Sequence, residues 1–125
     1  MKEVATLILN RNLGNVTNKL VENILKFNHS YTDVYVIDSG SDLNKTSKYT
    51  TWRATWKDAL KNGLRFNRGM NFGLSKLFNE NKFNKYNFFL LLTNDTIVQK
   101  KNFIKTFINI MKKNNKIGIL SPCSS

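Results

Sequence analysis

Between Tyr86 and Leu92 the chain reads Tyr-Asn-Phe-Phe-Leu-Leu-Leu and is apolar at every position after Asn87. Successive side chains of a strand point to opposite faces, so a run without polar alternation needs cover on both faces. That is the pattern of a strand in the middle of a parallel sheet with helices above and below. The run ends abruptly at Thr93-Asn94-Asp95-Thr96.

The other segments fit the same architecture. Val4–Leu9 is a short apolar run of strand formers, stopped by Asn10-Arg11-Asn12 and Gly14. From Asn15 to Phe27 apolar residues recur at Val16, Leu20, Ile24 and Phe27, with Val21 and Leu25 beside them, which is helical spacing. Val34–Ile37 is a second strand that ends at Asp38-Ser39-Gly40-Ser41-Asp42. Between Leu43 and Gly63 two readings stand: a strand over Thr50–Trp56 anchored by Trp52 and Trp56, or a helix over Lys57–Leu60. Asn67–Asn81 is helical, with Met70, Leu74, Leu77 and Phe78 on one face; Asn102–Lys113 is helical, with Phe103, Phe107, Ile108 and Met111 in register. Ile117–Leu120 is expected as a last short strand, stopped by Pro122. Alternation of this kind builds an α/β sheet with right-handed crossovers, and 125 residues fit one domain.

Charge and cysteine content bound the partners. Twenty Lys and Arg against eight Asp and Glu give a net charge of +12. Such a chain attracts polyanions: nucleic acid, an anionic membrane face or a phosphorylated substrate. The basic residues are scattered, however, with only Lys100-Lys101 and Lys112-Lys113 adjacent, and a dispersed pattern reads as a solvated surface more than as a nucleic-acid patch. Cys123 is the only cysteine, so an intrachain disulfide is excluded and a reducing compartment is expected. No apolar run approaches the ~20 residues of a membrane span. The expectation is a cytoplasmic protein, with attachment to the inner membrane face open through its basic charge.

In open α/β sheets ligands bind outside the carboxyl ends of the strands. Three polar clusters fall at such ends, and Asp38, Asp42 and Asp95 are three of the eight acids in the chain. Carboxylates there can accept hydrogen bonds from a base or ribose, or hold a hard divalent cation that bridges phosphate oxygens. The competing explanation for each cluster is a turn or helix cap, which Asp, Ser and Gly also favour. His29 alone makes no metal cluster and reads as a surface residue; Gly69 and Gly73 lack the Gly-Lys-Ser/Thr pattern of a phosphate loop.

The ordered set of segments resembles the family 2 glycosyltransferases. Val36-Ile-Asp-Ser-Gly-Ser-Asp42 is similar to their V-D-n-G-S-x-D segment. Asn67-Arg-Gly-Met-Asn-Phe-Gly-Leu74 resembles a contracted form of their N-x-G-x-x-x-G-x-N-x-G-L segment, and Leu91-Leu-Thr-Asn-Asp-Thr96 the L-N-x-D-T version of their DxD motif. Thr6-Leu-Ile-Leu-Asn-Arg11 resembles their opening strand and first nucleotide loop.

The resemblance implies a GT-A fold, a Rossmann-like, mostly parallel sheet flanked by helices. Residues 1–125 would form a single nucleotide-sugar-binding domain, truncated relative to full family members. It implies that Asp38 reads the nucleobase, that Ser39 and Asp42 lie in the same loop at the base or ribose, and that Asn10 and Arg11 lie in the first nucleotide loop. Arg68 and Asn71 would lie near the base or diphosphate, with Asn94 beside them. Asp95 would be the ligand of Mg or Mn. Thr93 stands at the first position of DxD, so one carboxylate of that motif is absent.

The implied donor is a nucleotide-diphospho-sugar, and the implied reaction inverting transfer to a saccharide, lipid-linked or protein acceptor. Family members continue past the equivalent of Ile117–Leu120 into a half that carries the acceptor pocket and the general base. No Asp or Glu follows Asp95, so no catalytic base is identified, and the expectation is little or no transfer by these residues alone. Two rival readings are a basic nucleic-acid-binding module and a non-catalytic domain that pairs with a partner chain or a second copy. The acids at the strand ends, which would repel a nucleic-acid backbone, speak against the first.

Overall fold

The computed structural model describes residues 2–98, 100–116 and 118–119. It is α/β. The elements, in chain order, are β1 (Val4–Asn10), α1 (Gly14–Asn28), β2 (Thr32–Asp38), β3 (Thr50–Arg53), α2 (Lys57–Asn62), α3 (Phe66–Asn79), β4 (Phe88–Thr93) and α4 (Phe103–Lys113). Single 3-10 turns occur at Leu43–Lys45 and Phe83–Lys85. The expected strand at Ile117–Leu120, with Pro122 and Cys123, lies largely outside the described residues. Both readings of the middle segment hold in part, since β3 and α2 follow one another there.

The four strands form one parallel sheet in the order β3-β2-β1-β4. β1 is the inner strand that meets β4 and β2 in register, Asn10 opposite Asp38 and Leu9 opposite Thr93. β1 is therefore the strand buried on both faces: Ala5, Thr6, Leu7 and Ile8 are fully covered. β4 was the segment expected in the middle. Among the described residues it is one of the two edge strands, half-buried or exposed along its length. An apolar run signals low exposure; which strand flanks which is set by the crossovers.

Helices cover both faces, as a parallel sheet requires. On one face Val4, Ile8 and Val36 pack under Leu20, Val21 and Ile24 of α1 and Ile104 and Ile108 of α4. On the other, Ala5, Leu7, Ile37 and Trp52 pack under Met70 and Leu77 of α3 and against Tyr86. Burying a side chain such as Ile8 or Ile37 contributes about 1.5–3 kcal/mol, so these layers hold the sheet together.

Two helices, α1 and α3, show a small departure from their apolar pattern, and each has a cause. In α1 the buried stripe is Thr17, Leu20, Val21, Ile24 and Asn28, whereas Val16 is exposed. Thr17 donates to Asn10 Oδ1 and Asn28 Nδ2 to the Lys101 carbonyl, so polar groups with partners occupy the inner face. In α3 the inner face is Gly69, Met70, Gly73 and Leu77, and Phe78 is exposed. A Cβ at Gly73 would stand 2.4 Å from Ile37 Cδ1, and one at Gly69 2.6 Å from Leu9 Cδ1. The glycines let this helix settle onto the sheet. Trp52 is a packing residue, stacked on Tyr35 with centroids 5.3 Å apart and donating from Nε1 to Glu80.

Candidate functional site

All three polar clusters of the sequence emerge at the carboxyl edge of the sheet, because β2, β1 and β4 are parallel and end together. Strand order reverses between β1 and β4: α1 leads from β1 to β2 on one side, and β4 lies on the other. In open α/β sheets that switch point opens the crevice into which ligands settle.

A chain of hydrogen bonds runs across this edge. Asn10 is fully buried. Its Nδ2 donates to Asp38 Oδ1 at 3.2 Å and to the Lys45 carbonyl at 3.4 Å. Its Oδ1 accepts from Thr17 Oγ1 at 2.8 Å, from Asn94 Nδ2 at 3.2 Å and from the Leu13 N–H at 3.3 Å. One side chain thus links β1, the ends of β2 and β4 and the start of α1. Asp38 is equally buried; its Oδ2 accepts from the Ser41 N–H at 3.0 Å and pairs with Arg53 Nε at 3.4 Å. A buried carboxylate requires such compensation, since removing a charge from water costs several kcal/mol unless it is paired and hydrogen-bonded.

Arg11 is engaged in the same way. Its guanidinium donates to the carbonyls of Ser39, Gly40, Ala59 and Lys61. Two of those belong to α2, whose free carbonyl end attracts a cation. Ser39 exchanges hydrogen bonds with Leu64, donating to its carbonyl and accepting from its N–H. Gly40 has φ +66°, and a Cβ there would lie 2.0 Å from the Ala59 carbonyl oxygen, so the loop closes on α2 only without a side chain. Asn10, Arg11, Asp38 and Ser39, the residues expected in the nucleotide loops, thus stand at one edge with their side chains engaged by the loops themselves. Asn10, Asp38 and Ser39 are buried under the loops they support, while Arg11 is half-buried.

Of the remaining expected residues, Asp42, Arg68 and Asn71 stand outside this network. Asp42 is 70% exposed, with Lys45 Nζ at 3.8 Å, and its N–H donates to Asn12 Oδ1, where Asn12 takes φ +57°. Arg68 is 60% exposed and pairs with Asp58 at 3.4 Å. The Asn62 amide and then Arg68 hold that carboxyl below its ordinary pKa. Asn71 is exposed on α3. Asn94 joins the buried chain through Nδ2.

Asp95 differs from every other acid. Of the eight carboxylates, Glu3, Glu22, Asp33, Asp38, Asp42, Asp58 and Glu80 each hold a Lys or Arg within 4.0 Å. Among the described residues Asp95 has no such partner. It is exposed and accepts from the Thr93 hydroxyl, which orients the carboxylate. It borders a groove of about 290 Å³ between α1 and the segment from Asn94 to Val98, with Val16, Lys19 and Asn23 on the helix side.

Among the described residues no three His, Cys, Asp or Glu side chains converge on one point. The donor set fits Mg or Mn of one kind only, a cation that takes a single protein carboxylate and completes its shell with phosphate oxygens and water. His29 is exposed, its Nδ1 at 3.2 Å from the Leu25 carbonyl, in keeping with a surface residue. Two contributors escaped sequence reasoning: Arg53, which neutralises Asp38 from β3, and Lys19, whose only signal was one more dispersed lysine. No helix among the described residues is long and apolar enough to cross a membrane. No protein-family model, curated protein or solved structure matches this chain.

Proposed function

We propose that this domain binds a nucleoside-diphosphate sugar together with Mg or Mn at the carboxyl edge between β1 and β4, as the donor-binding part of a GT-A-type glycosyltransferase. The observation that carries the reading is the hydrogen-bond chain Asp38–Asn10–Asn94, which ties three motif segments to one edge and ends beside Asp95. The ordered motifs and the position of the switch point add to it.

The roles follow from exposure. Asp38, Asn10 and Arg11 shape the loops over which the nucleoside lies, while Asp42 and the backbone of its loop face the ligand. Asp95 holds the cation, oriented by Thr93. A diphosphate leaving group develops negative charge, which a bound divalent cation neutralises without a proton transfer.

A thermal-shift panel of UDP-, GDP- and dTDP-sugars, with and without Mn, tests this. A cognate donor at a hundred times its Kd adds about 2.7 kcal/mol to stability. The melting point should rise with one nucleotude class only in the presence of Mn, and Asp95→Ala should abolish the rise. A panel without any shift, or a shift retained in Asp95→Ala, overturns the proposal.

A further inference from the structure

A diphosphate bound beside a lone carboxylate needs a second positive group, and the arginines of the edge are committed elsewhere. Arg11 is spent on four carbonyls, Arg53 on Asp38 and Arg68 on Asp58. The groove at Asp95 has its own cation. Lys19 projects from α1 five residues after Gly14, roughly 7 Å along the helix from its start at 1.5 Å per residue. It lines the same groove as Asp95, Asn94 and Asn23.

Two features mark the position of Lys19. Lys19 and Asp95 face one cavity yet lie more than 4.0 Å apart, and among the described residues neither has an ion-pair partner. In addition, the walls beside them carry apolar side chains left in water, Val16 at 43% and Ile97 at 83% exposure. Opposite charges left unjoined across a groove leave room for a group that bridges them, an anion on the ammonium and its cation on the carboxylate. The exposed apolar flanks gain cover when that group fills the space.

We infer that Lys19 on α1 is the cation that grips the diphosphate of the ligand, across the groove from the metal-holding Asp95. This rests on the donor reading above and extends it to the chemical group bound and to a residue outside every motif. Asn23, one turn further along α1, supplies an amide donor to the same phosphate oxygens.

Calorimetric titration of the whole chain with Mn-pyrophosphate, and separately with the sugar-nucleotide panel plus Mn, tests the inference. Losing one charged hydrogen bond should weaken Mn-pyrophosphate about tenfold in Lys19→Ala, and charge reversal in Lys19→Glu should weaken it further. Lys105→Glu, at an exposed position of α4, changes net charge as much as Lys19→Glu and should bind as the wild type. Melting temperatures of all three variants should match the wild type, since both lysines are exposed. Wild-type affinity in Lys19→Glu, an equal loss in Lys105→Glu, or no pyrophosphate binding by the wild type overturns the inference. Sugar nucleotides that bind independently of Lys19 overturn it and leave the donor reading standing. Lys19-dependent pyrophosphate binding without any sugar-nucleotide binding upholds it and removes the donor reading.

Discussion

The two halves of the carboxyl edge use the same kinds of residue for different ends. On the β2 side, Asp38, Ser39 and Asn10 are buried and Arg11 is half-buried, and all four side chains are hydrogen-bonded within the edge. On the β4 side, Asp95 and Lys19 stand in water beside a groove, without ion-pair partners among the described residues. An acid at a strand end therefore has two fates along one edge. Where it is saturated it sets the shape of the edge, and where it is left open it is available to a ligand.

The sharpest way to break the comparison is to remove one acid from each half. Asp38→Ala leaves Arg53, the Asn10 amide and the Ser41 N–H without their shared partner, and stranding the members of a buried pair costs about 3–5 kcal/mol. Asp95→Ala removes an exposed carboxylate and should change stability by no more than about 0.5 kcal/mol. Urea denaturation of both variants measures the gap; equal effects would erase the distinction between the halves.

Asn10→Ala comes next, since it strands Thr17 Oγ1 and the Leu13 N–H and frees Asn94. The expected loss is about 2 kcal/mol by the same measurement. If Asn10 served a ligand alone, its removal would leave the midpoint unmoved.

A polar chain at the opposite, amino edge of the sheet supplies a reference with a pH signature. There the Tyr86 hydroxyl donates to Asp33 Oδ2 at 2.6 Å, Lys2 pairs with Asp33 at 3.1 Å, and Tyr35 meets Tyr86. Burial alone would raise the Asp33 carboxyl, but the Tyr86 hydroxyl and the Lys2 ammonium outweigh it and hold it below its ordinary value. Burial first, and then the bond to Asp33, push the Tyr86 phenol upward. A carboxyl that is more acidic when folded contributes stability above its unfolded pKa of about 3.9, and that contribution is lost as pH falls through the folded value. Tyr86→Phe should cost about 1 kcal/mol at pH 7, and the difference from wild type should shrink below about pH 3. Urea midpoints at pH 7, 4 and 2.5 check it; a constant difference would show that the carboxyl plays no part.

The smallest effect belongs to the exposed pair of Arg68 and Asp58. Arg68→Ala should shift stability by less than about 0.5 kcal/mol. A larger shift in the same urea experiment would mean that Arg68 belongs to the saturated half.

Much of the fold was legible because burial writes a periodic signature. The 3.6-residue spacing of Leu20, Val21 and Ile24 located α1, and the apolar runs located β1, β2 and β4. The middle segment was not legible, because β3 has four residues and α2 six, too short for a period to declare itself. The carboxyl-edge location of the candidate residues was also legible, since turn-forming and acidic residues at strand ends are a local pattern. Their availability was not. Nothing in Asn10-Arg11 tells that the guanidinium closes on α2 forty-eight residues later.

What the amino-acid order determined by itself was the kind of architecture: alternating strands and helices, and acids where strands stop. Those follow from each segment's need to hide apolar side chains, a demand met within ten or fifteen residues. Tertiary structure alone decided that β1, not β4, is the strand enclosed on both sides, and that Asn10 joins Asp38 and Asn94 across separations of 28 and 84 residues. It also decided that Asp95 keeps no cation of its own among the described residues. The reason is physical: local patterning records how much surface a residue must lose, whereas the partner that covers it is chosen by packing between distant segments.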